Sequence, residues 1–276
     1  MTDPTNRRAL LLVLDGVGCG AAPDTAAYGD TGSDTIGNVA RAVGGLALPN
    51  LARLGLGHVA PIAGVEALAH PIGAWGTLIP RSSGKDSTTG HWELAGLHLA
   101  KPFPTYPHGF PPSVIEAFER ATGRPVMANC VASGTTVIAD FAEQARDAGA
   151  WIVYTSADSV FQIAAHEEWI PLDELYRACE IAREQLVAPH DVSRVIARPF
   201  VGTAGAWTRT ANRRDYSIQP PGVTLLDALA EAGIPRSGVG KVDDLFAGRG
   251  ITSRHTVDNA DGVSAILDWL NSAPRG

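Results

Sequence analysis

A loop rich in hydroxyl groups holds the residues of this chain best suited to chemistry. Residues 82–91 contain five serine or threonine side chains, together with Lys85, Asp86 and His91. A hydroxyl is a weak nucleophile at neutral pH unless a base or a metal ion activates it. An activated serine here could attack a phosphoryl group while Lys85 and the loop amides steady the transferring oxygens. The spacing is not that of a P-loop, and the alternative interpretation is a solvated polar turn.

Acidic residues follow two predicted strands, and α/β sheets bind their ligands at such strand ends. Asp15 comes directly after the apolar run 9–14, and its carboxylate suits a hard cation such as magnesium or manganese. The alternative for Asp15 is a structural role in a glycine-containing turn. Asp158 follows the strand predicted over Trp151–Thr155 and suits two hydroxyl groups of a sugar. His166 could be a ligand, but as a lone histidine near an apolar run it is interpreted as structural.

Four arginines lie near the end of another predicted strand, residues 192–197. Arg198 follows this strand directly, and Arg209, Arg213 and Arg214 come later in the sequence. Guanidinium groups recognise phosphate through paired hydrogen bonds, so the group favours a phosphosugar pocket. The alternative is that three of the four arginines are solvated surface charges.

The composition favours a globular enzyme of the cytoplasm. The 276 residues are 45% hydrophobic, which is enough for one large domain or two modest ones. A net charge of −7 argues against a general nucleic-acid-binding protein. The apolar run near the N-terminus is too short for a signal peptide or a membrane span. The three cysteines lack metal-ligand spacing and are interpreted as reduced thiols.

Helices and strands alternate after a segment, residues 101–112, that contains five prolines. We therefore predict a domain boundary there, followed by a compact α/β unit. A capping box formed by Ser113 and Glu116 predicts the start of its first helix. Helices are predicted over residues 34–43, 113–121, 135–148, 172–187, 224–232 and 262–270. Strands are predicted over residues 9–14, 125–129, 151–155, 192–197 and 234–240.

Long segments in a fixed order resemble the phosphopentomutases, a branch of the alkaline phosphatase superfamily. The resemblance runs from residue 9 to about residue 262, which is nearly the whole chain. The segments that carry it include Leu14-Asp-Gly-Val-Gly18, Gly84-Lys-Asp-Ser-Thr-Thr-Gly-His-Trp-Glu93, Tyr154-Thr-Ser-Ala-Asp-Ser-Val160 and Arg194-Val-Ile-Ala-Arg-Pro-Phe-Val-Gly202.

The resemblance implies an isomerase that moves a phosphoryl group between the C1 and C5 oxygens of ribose or deoxyribose. Such enzymes use two manganese ions, a sugar bisphosphate activator and a phosphorylated hydroxyl group of the protein. That hydroxyl matches Ser87, where family members usually have threonine, and Ser87 is then also a metal ligand. Asp15 matches the N-terminal metal ligand of the family. The substrate-binding residues implied by the resemblance are Asp158, Ser156, Val160, Arg198 and Arg209.

The resemblance also implies the architecture and the partners. An incomplete alkaline-phosphatase-like α/β core, residues 1–100 and 216–276, is expected to be interrupted by a smaller α/β cap, residues 101–215. Family chains continue past this ending through further Asp and His ligands, so we expect an exposed sheet edge and a complementing C-terminal chain. The expected partner is a small pentose phosphate, with neither nucleic acid nor membrane. Two alternatives stay open: a catalytically inactive sugar-phosphate-binding fragment, and a related metal-dependent phosphatase.

Overall fold

The computed structural model describes residues 8–272, which form a mixed α/β protein. The chain divides into two compact units, Ala9–Arg81 and a second unit that begins at Ser82. The α-helices are α1 (Thr35–Ala42), α2 (Pro49–Leu54), α3 (Ser87–Leu94), α4 (Pro112–Thr122), α5 (Gly134–Ala148), α6 (Leu172–Gln185), α7 (Leu225–Glu231), α8 (Val242–Leu245) and α9 (Asn259–Ser272). The strands are β1 (Val126–Val131), β2 (Trp151–Thr155), β3 (Val160–His166), β4 (Arg194–Val201), β5 (Thr208–Arg209), β6 (Arg214–Ser217), β7 (Gly238–Val239) and β8 (Ser253–Arg254). Across residues 8–272, no helix has both the length and the apolar character that crossing a bilayer requires.

The smaller unit, Ala9–Arg81, contains α1 and α2. Asp34 caps α1 by accepting hydrogen bonds from the backbone N–H groups of Gly20 and Gly37, at 3.0 and 3.1 Å. These two hydrogen bonds hold the pKa of Asp34 below its ordinary value. A side chain at Gly37 would overlap the carboxylate, so glycine is needed there. The helix predicted over residues 34–43 is confirmed, and its start is fixed by this cap.

The strand predicted over residues 9–14 is wrong. The run has no regular secondary structure, and Leu11 and Leu12 are 69% and 60% exposed. Within the described residues no strand pairs with it, so its backbone groups enter no ladder. Asp15 therefore follows an exposed segment instead of a buried strand.

One mixed sheet in the larger unit contains β1 to β6. The spatial order is β1-β2-β3-β4-β5, and β6 also pairs with β4. β1 is parallel to β2 and β3 is parallel to β4, whereas the pairs β2–β3, β4–β5 and β4–β6 are antiparallel. All six strands lie between residues 126 and 217. The division into an alkaline-phosphatase-like core and a cap, with boundaries at residues 100 and 215, stays a prediction.

Helices pack on both faces of this sheet and form two separate apolar cores. α4 and α6 lie on one face, with a core that includes Phe118, Phe161 and Leu175. α5 lies on the other face, where Ile138 packs in a core with Ile152. Successive side chains of a strand point to opposite faces. Along β4, successive side chains therefore point alternately toward these two faces of the sheet.

Most elements predicted for this unit are confirmed, and several details differ. β2 matches its prediction, and α5 and α6 agree with theirs within two residues at each end. α4 begins at Pro112, after Pro111, and has no side-chain cap, so the predicted capping box is wrong. Proline at the first helical position already fixes the backbone there. The strand predicted over residues 234–240 shortens to β7, and β3 has no counterpart among the sequence predictions.

Candidate functional site

Ser87 is the first residue of α3 and is half-buried. Asp86 caps this helix, and its carboxylate accepts hydrogen bonds from the backbone N–H and the hydroxyl of Thr89, at 3.0 and 2.6 Å. His91 donates from Nδ1 to the carbonyl oxygen of Ser87 at 2.8 Å. The start of a helix carries partial positive charge. A phosphoryl group added to Ser87 would therefore be stabilised there.

Trp92 anchors α3 to the larger unit. Its ring is fully buried in a small core with Leu245, and its indole N–H donates to the Leu245 carbonyl oxygen at 2.8 Å. Thr88 is also fully buried. The polar loop predicted in this segment is therefore helical from Ser87 onward, on a packed element rather than in a solvated turn.

Asp158 lies in the turn of residues 156–159, between β2 and β3. Its backbone N–H donates to Ser156 Oγ at 3.3 Å, and its carbonyl oxygen accepts from the Val160 N–H at 3.0 Å. Ser159 fixes the turn by donating to the carbonyl oxygen of Pro104 at 2.6 Å. The Val160 side chain is buried, whereas the Asp158 side chain is 49% exposed. Val160 thus shapes the turn, and the carboxylate of Asp158 is accessible to a ligand.

Arg194 connects Asp158 to a buried group of charges. Its Nη2 lies 3.9 Å from the carboxylate of Asp158, and its Nη1 lies 3.1 Å from that of Asp215. Arg213 contacts Asp215 through two hydrogen bonds of 2.7 Å each. Burial alone raises the pKa of Asp215, but hydrogen bonding and charge from Arg213, with the charges of Arg194 and Arg198, bring it below its ordinary value. Asp215 is therefore ionised and holds both neighbouring arginines in place.

Arg198 and Arg209 meet around the hydroxyl of Tyr154. Nε of Arg198 donates to Gln162 at 3.1 Å, and Gln162 pairs directly with Tyr154 across β2 and β3. A Cβ at Gly134 would lie 2.8 Å from Tyr154 Oη and 3.4 Å from Arg209 Nη1, so both atoms lie close to Gly134. Neither Arg198 nor Arg209 forms an ion pair within the described part of the chain. Two guanidinium groups without an ion pair suit an anion.

These side chains share one face of the sheet, which we term the arginine face. It is defined by Tyr154, Gln162, Arg194, Arg198 and Arg209. Arg194 lies beside the turn that carries Asp158. The next arginine of β4 is four residues further on, about 13 Å along the strand.

Sequence reasoning missed three residues of this face: Tyr154, Gln162 and Arg194. Alternation along β4 is the signal for Arg194, because residues two and four apart in a strand share a face with it. Tyr154 has no comparable signal, since its position beside arginines depends on which strands pair. The surroundings of His166 agree with its structural interpretation. Its Nε2 lies 3.1 Å from the Gly202 carbonyl oxygen, its Nδ1 accepts from the Glu168 N–H at 3.3 Å, and its ring stacks on Trp169.

The residues predicted to bind metal ions are too few for a two-metal centre. Asp15 belongs to the unit Ala9–Arg81, and Ser87 belongs to the larger unit. Hard divalent cations each take about six ligands. In the described part of the chain, one group of three side chains has possible ligand atoms within 4.8 Å of one another: Asp243, Asp244 and His255. Asp15 and Ser87 are not in that group, so the residues present do not by themselves fit two ions.

The chain is similar over nearly its whole length to proteins named phosphopentomutase. It is 52% identical over 270 residues to the one from Clostridium novyi (strain NT), covering 98% of this chain and 69% of that relative. Identity to the one from Carboxydothermus hydrogenoformans is 55% over 265 residues, covering 96% of this chain and 68% of the relative. For Anaeromyxobacter dehalogenans (strain 2CP-C) the values are 54% over 275 residues, 99% and 70%. No family model matches the chain.

Identity above one half extends across almost all of this chain and about two thirds of each relative. It therefore includes the segments that carry Ser87, Asp158 and the arginine face. The resemblance inferred from the sequence motifs is confirmed, and the chain belongs to the phosphopentomutase family.

Proposed function

We propose that this chain acts as a phosphopentomutase, an isomerase that interconverts the 1-phosphate and the 5-phosphate of ribose or deoxyribose. The observation that carries the proposal is the grouping of Asp158 with the arginine face, in a chain more than half identical to phosphopentomutases. A sugar phosphate needs a carboxylate for its hydroxyl groups and guanidinium groups for its phosphate. One sheet supplies both.

Ser87 is the proposed carrier of the phosphoryl group. Phosphorylated Ser87 transfers this group to the C5 oxygen of a pentose 1-phosphate. The C5 hydroxyl loses its proton, Ser87 Oγ takes one up, and a pentose bisphosphate forms. The phosphoryl group on the C1 oxygen then transfers to Ser87 Oγ, which loses its proton, while the C1 oxygen takes up a proton and pentose 5-phosphate remains. A sugar bisphosphate activator supplies the first phosphoryl group. The place of Ser87 at the start of α3 supports this role, because phosphoryl transfer depends on positioning and charge stabilisation.

Asp158 and Ser156 are proposed to hold the sugar hydroxyl groups, in a turn that Val160 shapes. Arg198 and Arg209 are proposed to hold the phosphate that is not being transferred. The accessible carboxylate of Asp158 and the absence of ion pairs at the two arginines, within the residues described, support these roles. A bound sugar that excludes water would favour return of the phosphoryl group to the sugar over its loss as free phosphate.

Divalent cations, with manganese as the first candidate, are proposed as cofactors of the reaction. Asp15 and Ser87, which belong to different units of the chain, are each proposed as a single metal ligand. Bound ions would neutralise the charge of the phosphoryl group. The chain spans 69% of the length of the Clostridium novyi relative. We propose that the rest of the family's length, on this polypeptide or on a complementing chain, supplies the other ligands.

Product analysis tests the proposed activity. The chain receives manganese, ribose 1-phosphate and a catalytic amount of ribose 1,5-bisphosphate, and ribose 5-phosphate is measured. With the rest of the family's length also supplied, we expect conversion, and a phosphorylated peptide containing Ser87 by mass spectrometry, in the wild type and neither in Ser87→Ala. Ser83→Ala is the matched control, since the Ser83 hydroxyl is committed to the Ala100 carbonyl oxygen at 3.2 Å.

The other outcomes separate the alternatives. Release of free phosphate, dependent on Ser87, would favour a related phosphatase. Binding of ribose 5-phosphate without conversion would favour a catalytically inactive fragment. An absence of both binding and conversion would contradict the proposal.

A cytoplasmic location is also proposed. Cys19, Cys130 and Cys179 are unpaired thiols, which is typical of a reducing compartment. Burial raises the pKa of Cys179 well above its ordinary value, so this thiol stays protonated and unreactive. Cell fractionation with an antibody against the chain checks the location.

A further inference from the structure

A buried hydroxyl lies on the arginine face without a hydrogen-bond partner in the described part of the chain. Tyr154 is 1% exposed, and its Oη forms no hydrogen bond. Leaving a buried hydroxyl unsatisfied costs about 1–3 kcal/mol, and native proteins leave few such groups. A ligand that accepts a hydrogen bond from Tyr154 would remove this cost.

Positive charge surrounds the Tyr154 hydroxyl. Burial raises the pKa of Tyr154, and the charges of Arg198, Arg209 and Arg213 only partly oppose that effect. The hydroxyl therefore stays protonated at neutral pH and is a hydrogen-bond donor. Guanidinium groups are donors without any acceptor atom. A group that satisfies the tyrosine and the arginines together must be an acceptor, and an anion suits the charge.

Gly134 packs closely against the same hydroxyl. Its φ is not in the left-handed region, so the backbone itself would accept another residue. The restriction is one of space, because a Cβ would lie 2.8 Å from Tyr154 Oη and 3.4 Å from Arg209 Nη1. Gly134 is also the first residue of α5, a helix of 15 residues capped by Ser133. The positive end of this long helix adds to the field of the arginines.

We propose that the Tyr154 hydroxyl donates a hydrogen bond to a phosphate ester anion held by Arg198 and Arg209, beside the N-terminus of α5. This inference rests on the proposed function, in which the anion is the pentose phosphate group that is not being transferred. Tyr154 is then a substrate-binding residue that orients the sugar phosphate, and no bond to it is made or broken.

Two tyrosine variants test the inference. Tyr154→Phe removes the hydroxyl and keeps the ring. Tyr216→Phe is the matched control, because Tyr216 also has a buried hydroxyl without a partner among the described residues but lies on the opposite face, near α6. Calorimetry measures the affinities for inorganic phosphate, ribose 5-phosphate and unphosphorylated ribose, and urea denaturation measures the free energy of unfolding.

We expect Tyr154→Phe to lower the affinities for inorganic phosphate and ribose 5-phosphate about tenfold, as loss of a hydrogen bond to a charged group implies. Its affinity for ribose should not fall, because ribose lacks the phosphate. Its free energy of unfolding should not fall either, because the hydroxyl has no hydrogen-bond partner among the described residues of the ligand-free protein. Tyr216→Phe should keep all three affinities.

A second pair of variants tests the geometry. Gly134→Ala places a methyl group against the Tyr154 hydroxyl, so we expect a lower free energy of unfolding and weaker phosphate binding. The same substitution in a Tyr154→Phe background should cost much less stability, because the clashing oxygen is gone. Equal losses of stability in both backgrounds would contradict the close approach of the two residues.

The outcomes distinguish this inference from the proposed function. If Tyr154→Phe binds both phosphate ligands as the wild type does, the inference is overturned, even in an active mutase. If the wild type binds neither ligand, it is overturned as well. Phosphate binding that depends on Tyr154, in a chain that isomerises no pentose phosphate, would support the anion site and contradict the mutase.

Discussion

Residues 9–14 and β2 are both short apolar runs that lead to an acidic residue, Asp15 and Asp158 respectively. Residues 9–14 are exposed throughout and have no regular structure, whereas β2 is buried throughout. β2 pairs with β1 on one side and β3 on the other. The first run pairs with no strand in the described part of the chain. An apolar run thus becomes a strand when other strands complete its ladder, since its own composition decides little.

The same difference separates the two acids. A packed turn and the contact with Arg194 position the carboxylate of Asp158. Asp15 follows a segment without a strand. The proposed sugar-binding residues therefore depend on a folded sheet for their placement, whereas Asp15, one of the two proposed metal ligands, does not follow a strand.

Asp215→Asn should have the largest effect, because it removes the buried negative charge that holds Arg194 and Arg213 in place. It leaves Arg194 buried without its closest anion, and breaking a buried ion pair costs about 3–5 kcal/mol. Urea denaturation at pH 7 measures this loss. Asp147→Asn is the control, since its ion pair with Arg146 is exposed and is worth less than about 1 kcal/mol. Equal losses in the two variants would contradict a structural role for Asp215.

The effect of Asp215→Asn should depend on pH. The pKa of Asp215 in the folded chain is lower than its ordinary value of 3.8. Its contribution to stability is therefore complete above that ordinary value and disappears as the pH falls through the lower, folded-state value. The difference between wild type and variant should be constant from pH 7 to pH 5 and shrink below pH 4. A constant difference down to pH 2 would contradict this account.

Ile152→Ala and Leu12→Ala compare the two apolar runs directly. Ile152 is 1% exposed in β2, and truncating such a side chain costs about 2–5 kcal/mol. Leu12 is 60% exposed, so its truncation should change the free energy of unfolding by less than about 0.5 kcal/mol. Urea denaturation measures both. A loss for Leu12→Ala as large as that for Ile152→Ala would show that residues 9–14 are packed after all.

Local signals in the sequence predicted the elements whose ends are marked by specific residues. Asp34 and Gly149 are examples, since one caps the start of α1 and the other ends α5 in the left-handed conformation. The strand over residues 9–14 failed because strand formation depends on partners elsewhere in the chain. β3 was not predicted from the sequence. It follows β2 after a turn of only four residues, and because its side chains are all buried, polar and apolar residues do not alternate along it.

The candidate site divides in the same way. Asp158 could be found from its place after a strand, and Arg198 and Arg209 from their charge and from resemblance to the family. Arg194 and Tyr154 could not be assigned to the same site from the sequence. Their proximity to the other residues depends on the register between β2, β3 and β4. A linear sequence gives no register, since it is set by tertiary packing.

Asp158→Asn should weaken the binding of ribose 5-phosphate about tenfold, because a carboxylate accepts stronger hydrogen bonds from sugar hydroxyl groups than an amide does. Inorganic phosphate lacks the sugar, so its affinity should stay the same. Asp15→Asn is the matched variant, since Asp15 follows the exposed run 9–14. It should leave the affinities for ribose 5-phosphate and for inorganic phosphate unchanged. Calorimetry measures all of them. Equal weakening of both ligands by Asp158→Asn would place Asp158 at the phosphate instead of the sugar.

Ser156→Ala should have the smallest effect. The Ser156 hydroxyl accepts a hydrogen bond of 3.3 Å from the Asp158 N–H, and an exposed neutral hydrogen bond of this kind contributes about 0.5–1 kcal/mol. The turn is also held by Ser159 and by the Val160 N–H, so its shape should persist. We expect affinity for ribose 5-phosphate to fall two- to fivefold, with the free energy of unfolding lowered by no more than about 1 kcal/mol. An effect as large as that of Asp158→Asn, measured by the same calorimetry, would mean that Ser156 binds the sugar more strongly than the carboxylate beside it.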